Sequence, residues 1–212
     1  RLLNEIVWTY HGPSPIKSAF NRKHDTILSY TKSDEYTFNV DDVRVPYADN
    51  TVKTFESSDK AGFGKVPNLK RGKVPEDWWY FPVVARLHSE RTGYPTQKPE
   101  ALLERIILVS SNPGDLVADF FAGSGTTASV ADRLGRRFIA TDAQWRAIHT
   151  TRSRLIRDPG APFSLEREEQ ARIPTGEALL DDQVQLASES EAPCLRVDQS
   201  LHDQLDYWEI DP

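Results

Sequence analysis

The stretch "NPGDLVADFFAGSGTTASVADRLGRRFIATD", residues 112–142, decides the fold. "DLVAD" is a short buried-strand pattern ending in Asp119, and the glycines Gly123 and Gly125 follow at once. "SGTTASVADRL" then carries helical spacing until Gly135 stops it, and "RRFIATD" is a second strand closing on Asp142. Strand, glycine loop, helix and strand in this order imply parallel strands joined by a covering helix.

The same regularity extends outward from this unit. Upstream, Pro99 occupies the first helical position, and Leu102, Leu103, Ile106, Ile107 and Ser110 recur at helical spacing until "NPG". Downstream, "QWRAIHTTRSRLIR" is a further helix stopped by "DPG". Nearer the start, "EIVWTY" (5–10) and "DTILSY" (25–30) are β-rich runs expected to pair, separated by a long loop carrying Lys17, Arg22 and Lys23. The expected division is a strand hairpin over 1–32, an irregular insert or linker over 33–90, an α/β core over 91–157 and an acidic extension over 158–212. "DYWEIDP" at the end reads as one strand of an additional module.

Composition narrows the class. Charged residues at 27% and hydrophobic ones at 38% describe a soluble chain, without a run near the ~18 apolar residues of a membrane span. Cys194 is the only cysteine, which excludes an internal disulfide and fits a reducing cytoplasm. The five histidines lack metal-ligand spacing, so no metal is expected. The chain has no methionine and begins at Arg1, and is therefore expected to be a piece of a longer protein. Its net charge of −6 is unevenly spread. Residues 1–157 carry 23 Lys and Arg against 18 Asp and Glu, whereas 158–212 carry 3 against 14. The body suits a polyanionic partner; the tail opposes one.

A glycine loop between strand and helix brings backbone N–H groups close to a ligand. A nucleoside triphosphate is excluded, because "AGSGTT" has no Lys before the Thr pair. A dinucleotide stays open: Gly123, Gly125 and Ala128 satisfy G-x-G-x-x-A, and Asp142 lies where a ribose-binding acid belongs. S-adenosylmethionine needs the same features but presents cations where a dinucleotide presents pyrophosphate. Asp119 beside the loop favours the cationic ligand, unless it is only a capping acid.

"ERTGYPTQKPEALLERIILVSSNPGDLVADFFAGSGTT" resembles the C-terminal half of the amino-group DNA methyltransferases, which methylate adenine N6 or cytosine N4, in the permuted order with the glycine loop after the catalytic motif. The resemblance implies an incomplete Rossmann-like α/β methyltransferase fold, a three-layer αβα sheet, with S-adenosylmethionine as cofactor. It places Thr96 and Lys98 near the cofactor carboxylate and Gly123, Ser124, Gly125 and Thr126 near its methionine part. Asp142 falls at the ribose, and Asp119 and Phe121 complete the implied cofactor set. The Pro usual after the strand acid is Phe120 here. "NEIVWTY", "RKHDTILSYTKS", "YTFN" and "KVPEDWW" match the family's target-base hairpin and linker, most closely in adenine-specific members.

The resemblance implies double-stranded DNA as partner and turns the hairpin loop with Lys17, Arg22 and Lys23 towards it; in the insert the basic run Lys65, Lys70, Arg71 and Lys73 is expected, from its charge, to contact phosphates. A solvated surface run is the alternative for these charges. A restriction subunit or self-association is a further partner that the sequence leaves open. Trp78, Trp79 and Tyr80 are expected to anchor the insert, with stacking on a base as the alternative, and Trp145 either covers the cofactor adenine or packs within its helix. No catalytic residue is assigned: the family's Asp/Asn/Ser-Pro-Pro-aromatic motif is missing, and in the permuted order it would precede residue 1. A dinucleotide-dependent oxidoreductase and a non-catalytic nucleic-acid-binding module are the alternatives.

Overall fold

The computed structural model describes residues 1–57, 67–158, 160–168 and 194–198. The chain divides into two compact units, Arg1–Val83 with Arg105–Asn112, and Val84–Glu104 with Pro113–Pro212.

In the first unit β1 (Leu2–Thr9) lies between β2 (His24–Tyr30) and β3 (Trp78–Tyr80). β1 and β2 are antiparallel, with Ile6 opposite Ile27 and Trp8 opposite Asp25. β3 runs parallel to β1 and sets Trp79 beside Trp8, both buried. Each indole finds an acceptor: Trp8 Nε1 donates to the Phe81 carbonyl at 2.9 Å and Trp79 Nε1 to the Glu76 carbonyl at 2.8 Å. The guanidinium of Arg105 stands 4.6 Å from the Phe81 ring centroid and 5.1 Å from that of Trp79, within cation–π range. Burial pushes the Arg105 pKa down from its ordinary value.

The segment 33–90 therefore holds more order than its turn-rich composition suggests. It contains α1 (Asp49–Ser57), an antiparallel bridge between Val45 and Lys73, and β3. Asn39, the last residue of "YTFN", donates its side-chain amide to the carbonyls of Leu108 and Ser111 at 3.2 and 2.9 Å. These sit at the end of α2 (Glu100–Ser110), where helix carbonyls lack partners of their own. Such bonds draw Arg105–Asn112 into the first unit, so the compact units do not divide at residue 90.

The second unit holds β4 (Leu116–Asp119), α3 (Thr126–Arg133), β5 (Arg137–Asp142) and α4 (Trp145–Arg157). β4 and β5 are parallel, Val117 opposite Phe138 and Asp119 opposite Ala140, and both helices pack on β5. Ala128, Val130 and Ala131 form the buried stripe of α3, and Ala147, Ile148, Thr151 and Leu155 that of α4. This is the expected Rossmann-like α/β arrangement. On β4, Leu116 is 47% exposed and Ala118 is also exposed, and among the described residues β4 has a partner on one side only.

The sheet is not all parallel. β6 (Ser164–Glu168) and β7 (Cys194–Asp198) come from the acidic extension and give the order β4-β5-β7-β6. β7 runs antiparallel to β5, with Asp142 opposite Leu195, and β6 antiparallel to β7. "DYWEIDP" lies outside the described residues.

The extension thus completes the β5 edge. Truncation after Arg157 is expected to lower the melting temperature by more than about 5 °C and to promote aggregation, since it strips the hydrogen-bonding edge of Ile139–Asp142. Truncation after Asp198 removes residues 199–212, with the acids Asp203, Asp206, Glu209 and Asp211, and keeps both strands. That shorter cut should lower the melting temperature less than the longer one. A differential-scanning comparison of the two truncations checks this.

Candidate functional site

Strand, loop and helix converge at the carboxyl ends of β4 and β5. The loop is laid over the end of β5 by its own backbone: Ala122 N–H donates to the Thr141 carbonyl at 2.9 Å, and Gly125 N–H to the Ala122 carbonyl at 2.8 Å. The two acids that bracket it are both engaged. Asp119 accepts from Phe121 N–H at 3.0 Å and from the Thr127 hydroxyl at 2.6 Å. Asp142 accepts from Gly123 N–H at 2.9 Å through one oxygen and from Gln144 N–H at 2.9 Å through the other. Asp119 thus makes the bonds of a capping acid, and Asp142 clamps the loop from the neighbouring strand.

Two glycines are required for different reasons. Both have positive φ, +54° at Gly123 and +71° at Gly125. A Cβ on Gly125 would meet the Thr151 side chain at 2.7 Å and its Cα at 2.9 Å, so this glycine lets α4 approach the loop. A Cβ on Gly123 would press on the edge of the Tyr94 ring, at 3.3 Å, and reach the Phe121 carbonyl at an ordinary contact distance of 3.8 Å. Phe121, 88% exposed, projects from the same loop, as does the exposed Phe120.

Beneath the loop Ser124 and Thr126 are buried, their hydroxyls 3.0 Å apart. The Thr126 hydroxyl donates to the Lys98 carbonyl at 3.2 Å, which ties "PTQKP" to the loop. It is the Lys98 backbone that makes this tie; its side chain is exposed, as is that of Thr96. Gln97 holds the segment's shape, accepting from Thr92 N–H and hydroxyl at 2.8 Å each and donating to the Glu90 carbonyl at 2.6 Å. Trp145, at the start of α4, is 55% exposed.

Tyr94, Thr151, Glu100 and Arg154 also belong to this site and were not singled out from the sequence. Arg154 donates to Glu100 at 2.5 Å and to the Thr126 hydroxyl at 3.0 Å. Its signal was available: it falls within the buried stripe of α4, between Thr151 and Leu155. Burial works to raise the Glu100 pKa, but hydrogen bonds and charge from Arg133 and Arg154 outweigh it and hold the carboxyl below its ordinary value.

The basic residues expected at DNA lie in the first unit and differ in their bonding. Arg71 forms a bidentate pair with Asp41 at 2.8 and 2.7 Å, and Lys73 pairs with Glu76. Arg22 donates to the His24 carbonyl at 3.3 Å, and Lys23 to the Pro13 carbonyl. Lys17 and Lys70 are exposed. Lys65 lies outside the described residues. Among the described residues no helix is long and apolar enough to cross a membrane.

The family model described as DNA methylase, of the N6/N4 type, matches residues 1–153, and the chain belongs to that family. The type II methyltransferase M.BglII of Bacillus subtilis is 40% identical over 141 residues, 66% of this chain and 38% of its own length. The DNA adenine methyltransferase YhdJ of Escherichia coli (strain K12) is 40% identical over 167 residues, 77% of this chain and 54% of its own. Among solved structures, the M1.HpyAVI–SAM complex is similar with a TM-score of 0.50 at 25% identity, covering 73% of this chain and 62% of that one. The chain spans about half the length of curated relatives that it matches.

Proposed function

We propose that the chain forms the cofactor-binding half, with part of the DNA-facing half, of a DNA amino-methyltransferase that uses S-adenosylmethionine and acts on adenine N6. One observation carries the choice of cofactor. The loop N–H groups of Phe121, Gly123 and Gly125 are already bonded to Asp119, Asp142 and the Ala122 carbonyl, which leaves them engaged before any phosphate arrives. Two carboxylates bracket the same loop. A dinucleotide phosphate would meet engaged donors and like charge, whereas a sulfonium and an ammonium would meet favourable charge.

In this reading Asp142 keeps spare acceptor capacity for the ribose hydroxyls, and exposed Trp145 flanks the adenine. Gly123 to Thr126 and Phe121 line the methionine end. Lys98 and Thr96 approach its carboxylate, and Asp119 shapes the loop and contributes its charge. The bound cofactor supplies an electrophilic methyl group on a positively charged sulfur. Double-stranded DNA is the partner. Lys17 and Lys70 are the cations best placed for phosphate, because Arg71 and Lys73 are neutralised by Asp41 and Glu76. Adenine N6 as acceptor is supported by the hairpin and linker matches and by the similarity to YhdJ.

The test is product analysis. The chain, extended at its N-terminus by a segment carrying an Asp-Pro-Pro-Tyr-type motif, is incubated with unmethylated DNA and the cofactor. N6-methyladenine in the nucleoside digest is the expected result; N4-methylcytosine alone would overturn the base assignment, and no methylated base the whole proposal. Asp142→Ala should weaken cofactor binding by about 1.5–3 kcal/mol, the loss of hydrogen bonds to a charged group, as read by calorimetry with S-adenosylhomocysteine.

A further inference from the structure

Arg154 is 1% exposed, a full charge inside the second unit. Burying an ion pair is costly, and well-packed apolar residues would serve as well or better if filling space were the only requirement. The side chain instead uses the fork of its guanidinium to reach separate segments. One terminal nitrogen donates to Glu100, the first residue of α2 and directly after "PTQKP". The other donates to the Thr126 hydroxyl and lies 3.5 Å from the Ser124 carbonyl. The Thr126 hydroxyl continues the chain to the Lys98 carbonyl at 3.2 Å. Glu100 is held from its far side by Arg133 at 2.5 Å. Arg154 Nε is buried without a hydrogen-bond partner, so the group is placed for its two terminal nitrogens at the expense of the third.

We propose that Arg154 is a positioning residue that sets "PTQKP" against the glycine loop, and thereby shapes the site for the amino-acid end of the cofactor and not for its adenosine end. The division follows from the bonding. Arg154 reaches Glu100, Ser124 and Thr126, and through Thr126 the Lys98 carbonyl, whereas Asp142 takes its bonds from Gly123 and Gln144, to neither of which Arg154 donates, and Trp145 is exposed at the start of α4. The inference rests on the cofactor assignment proposed above.

The experiment compares two ligands by calorimetry on the 212-residue chain: S-adenosylhomocysteine, and 5′-deoxy-5′-methylthioadenosine, which lacks the amino-acid end. Arg154→Met should weaken the first about tenfold or more and leave the second within about twofold. Arg154→Lys, which keeps the charge but loses the fork, should recover part of the loss. Glu100→Gln, which keeps Arg154 and its bond to Thr126, should give the same selective pattern at about threefold. It decides the matter if Arg154→Met does not fold. Faster amide exchange confined to residues 96–100 and 122–127 should accompany the change in binding.

Equal weakening of both ligands, or no weakening, overturns the positioning role while leaving the cofactor assignment intact. Failure of the unaltered chain to bind either ligand overturns the cofactor assignment, and the positioning role with it.

Discussion

Gly125→Val is expected to destabilise the chain by roughly 3 kcal/mol or more and to abolish cofactor binding with it. A β-branched residue at φ +71° pays the left-handed penalty of about 1–2 kcal/mol. Its Cβ would also lie 2.7 Å from two atoms of the Thr151 side chain and 2.9 Å from the Thr151 Cα, so backbone must move. Overpacking of that kind adds about 1–3 kcal/mol, a large share of the ~5–15 kcal/mol that stabilises a typical domain. Gly123→Val should behave differently. Its backbone penalty is similar, but its nearest neighbour is the movable Tyr94 ring, at 3.3 Å. That variant should stay folded and lose binding, because the side chain fills space the ligand needs. Thermal unfolding measured beside calorimetry separates the two, and undiminished binding by Gly123→Val would place the ligand elsewhere.

The second large effect concerns catalysis. The 212-residue chain by itself is expected to transfer no methyl group to DNA. Transfer to an exocyclic amine requires acceptors that orient the amine and an aromatic wall to replace the stacking lost by a flipped base. The sequence nowhere sets a polar residue, two consecutive prolines and an aromatic together. "VPYAD" lacks the paired prolines, and in "DPGAPF" they are separated. Without orientation the rate should fall by more than about a thousandfold, below detection in a radiolabelled transfer assay. The chain extended by such a motif is the positive control. Incorporation by the 212 residues alone would require an acceptor site within residues 1–90.

Much of the second unit was legible because its signals are local. The apolar run of "DLVAD", the left-handed glycines and the helical stripe of α3 each act over a few residues, and together they define one βαβ unit. What escaped the sequence depends on distant pairing. β6 and β7 are short, charged strands that acquire their role only by joining the edge of β5. Arg71 looked like a free cation because Asp41, its partner, lies 30 residues away. Arg154 was not singled out because Glu100, its partner, precedes it by 54 residues. Asp119 and Asp142 were read as ligand groups from their positions; their bonds to the backbone of the loop could not be inferred from spacing.

The central claim is that the loop between β4 and α3 is built for a cationic adenosyl cofactor and not for a dinucleotide. Calorimetric titration of the chain with S-adenosylmethionine, with uncharged-sulfur S-adenosylhomocysteine and with NAD, under the same conditions, is the test. The engaged amides of Phe121, Gly123 and Gly125 and the two bracketing carboxylates predict measurable binding of S-adenosylmethionine, no tighter binding of S-adenosylhomocysteine, and weaker or no binding of NAD. Tighter binding of NAD would contradict the account.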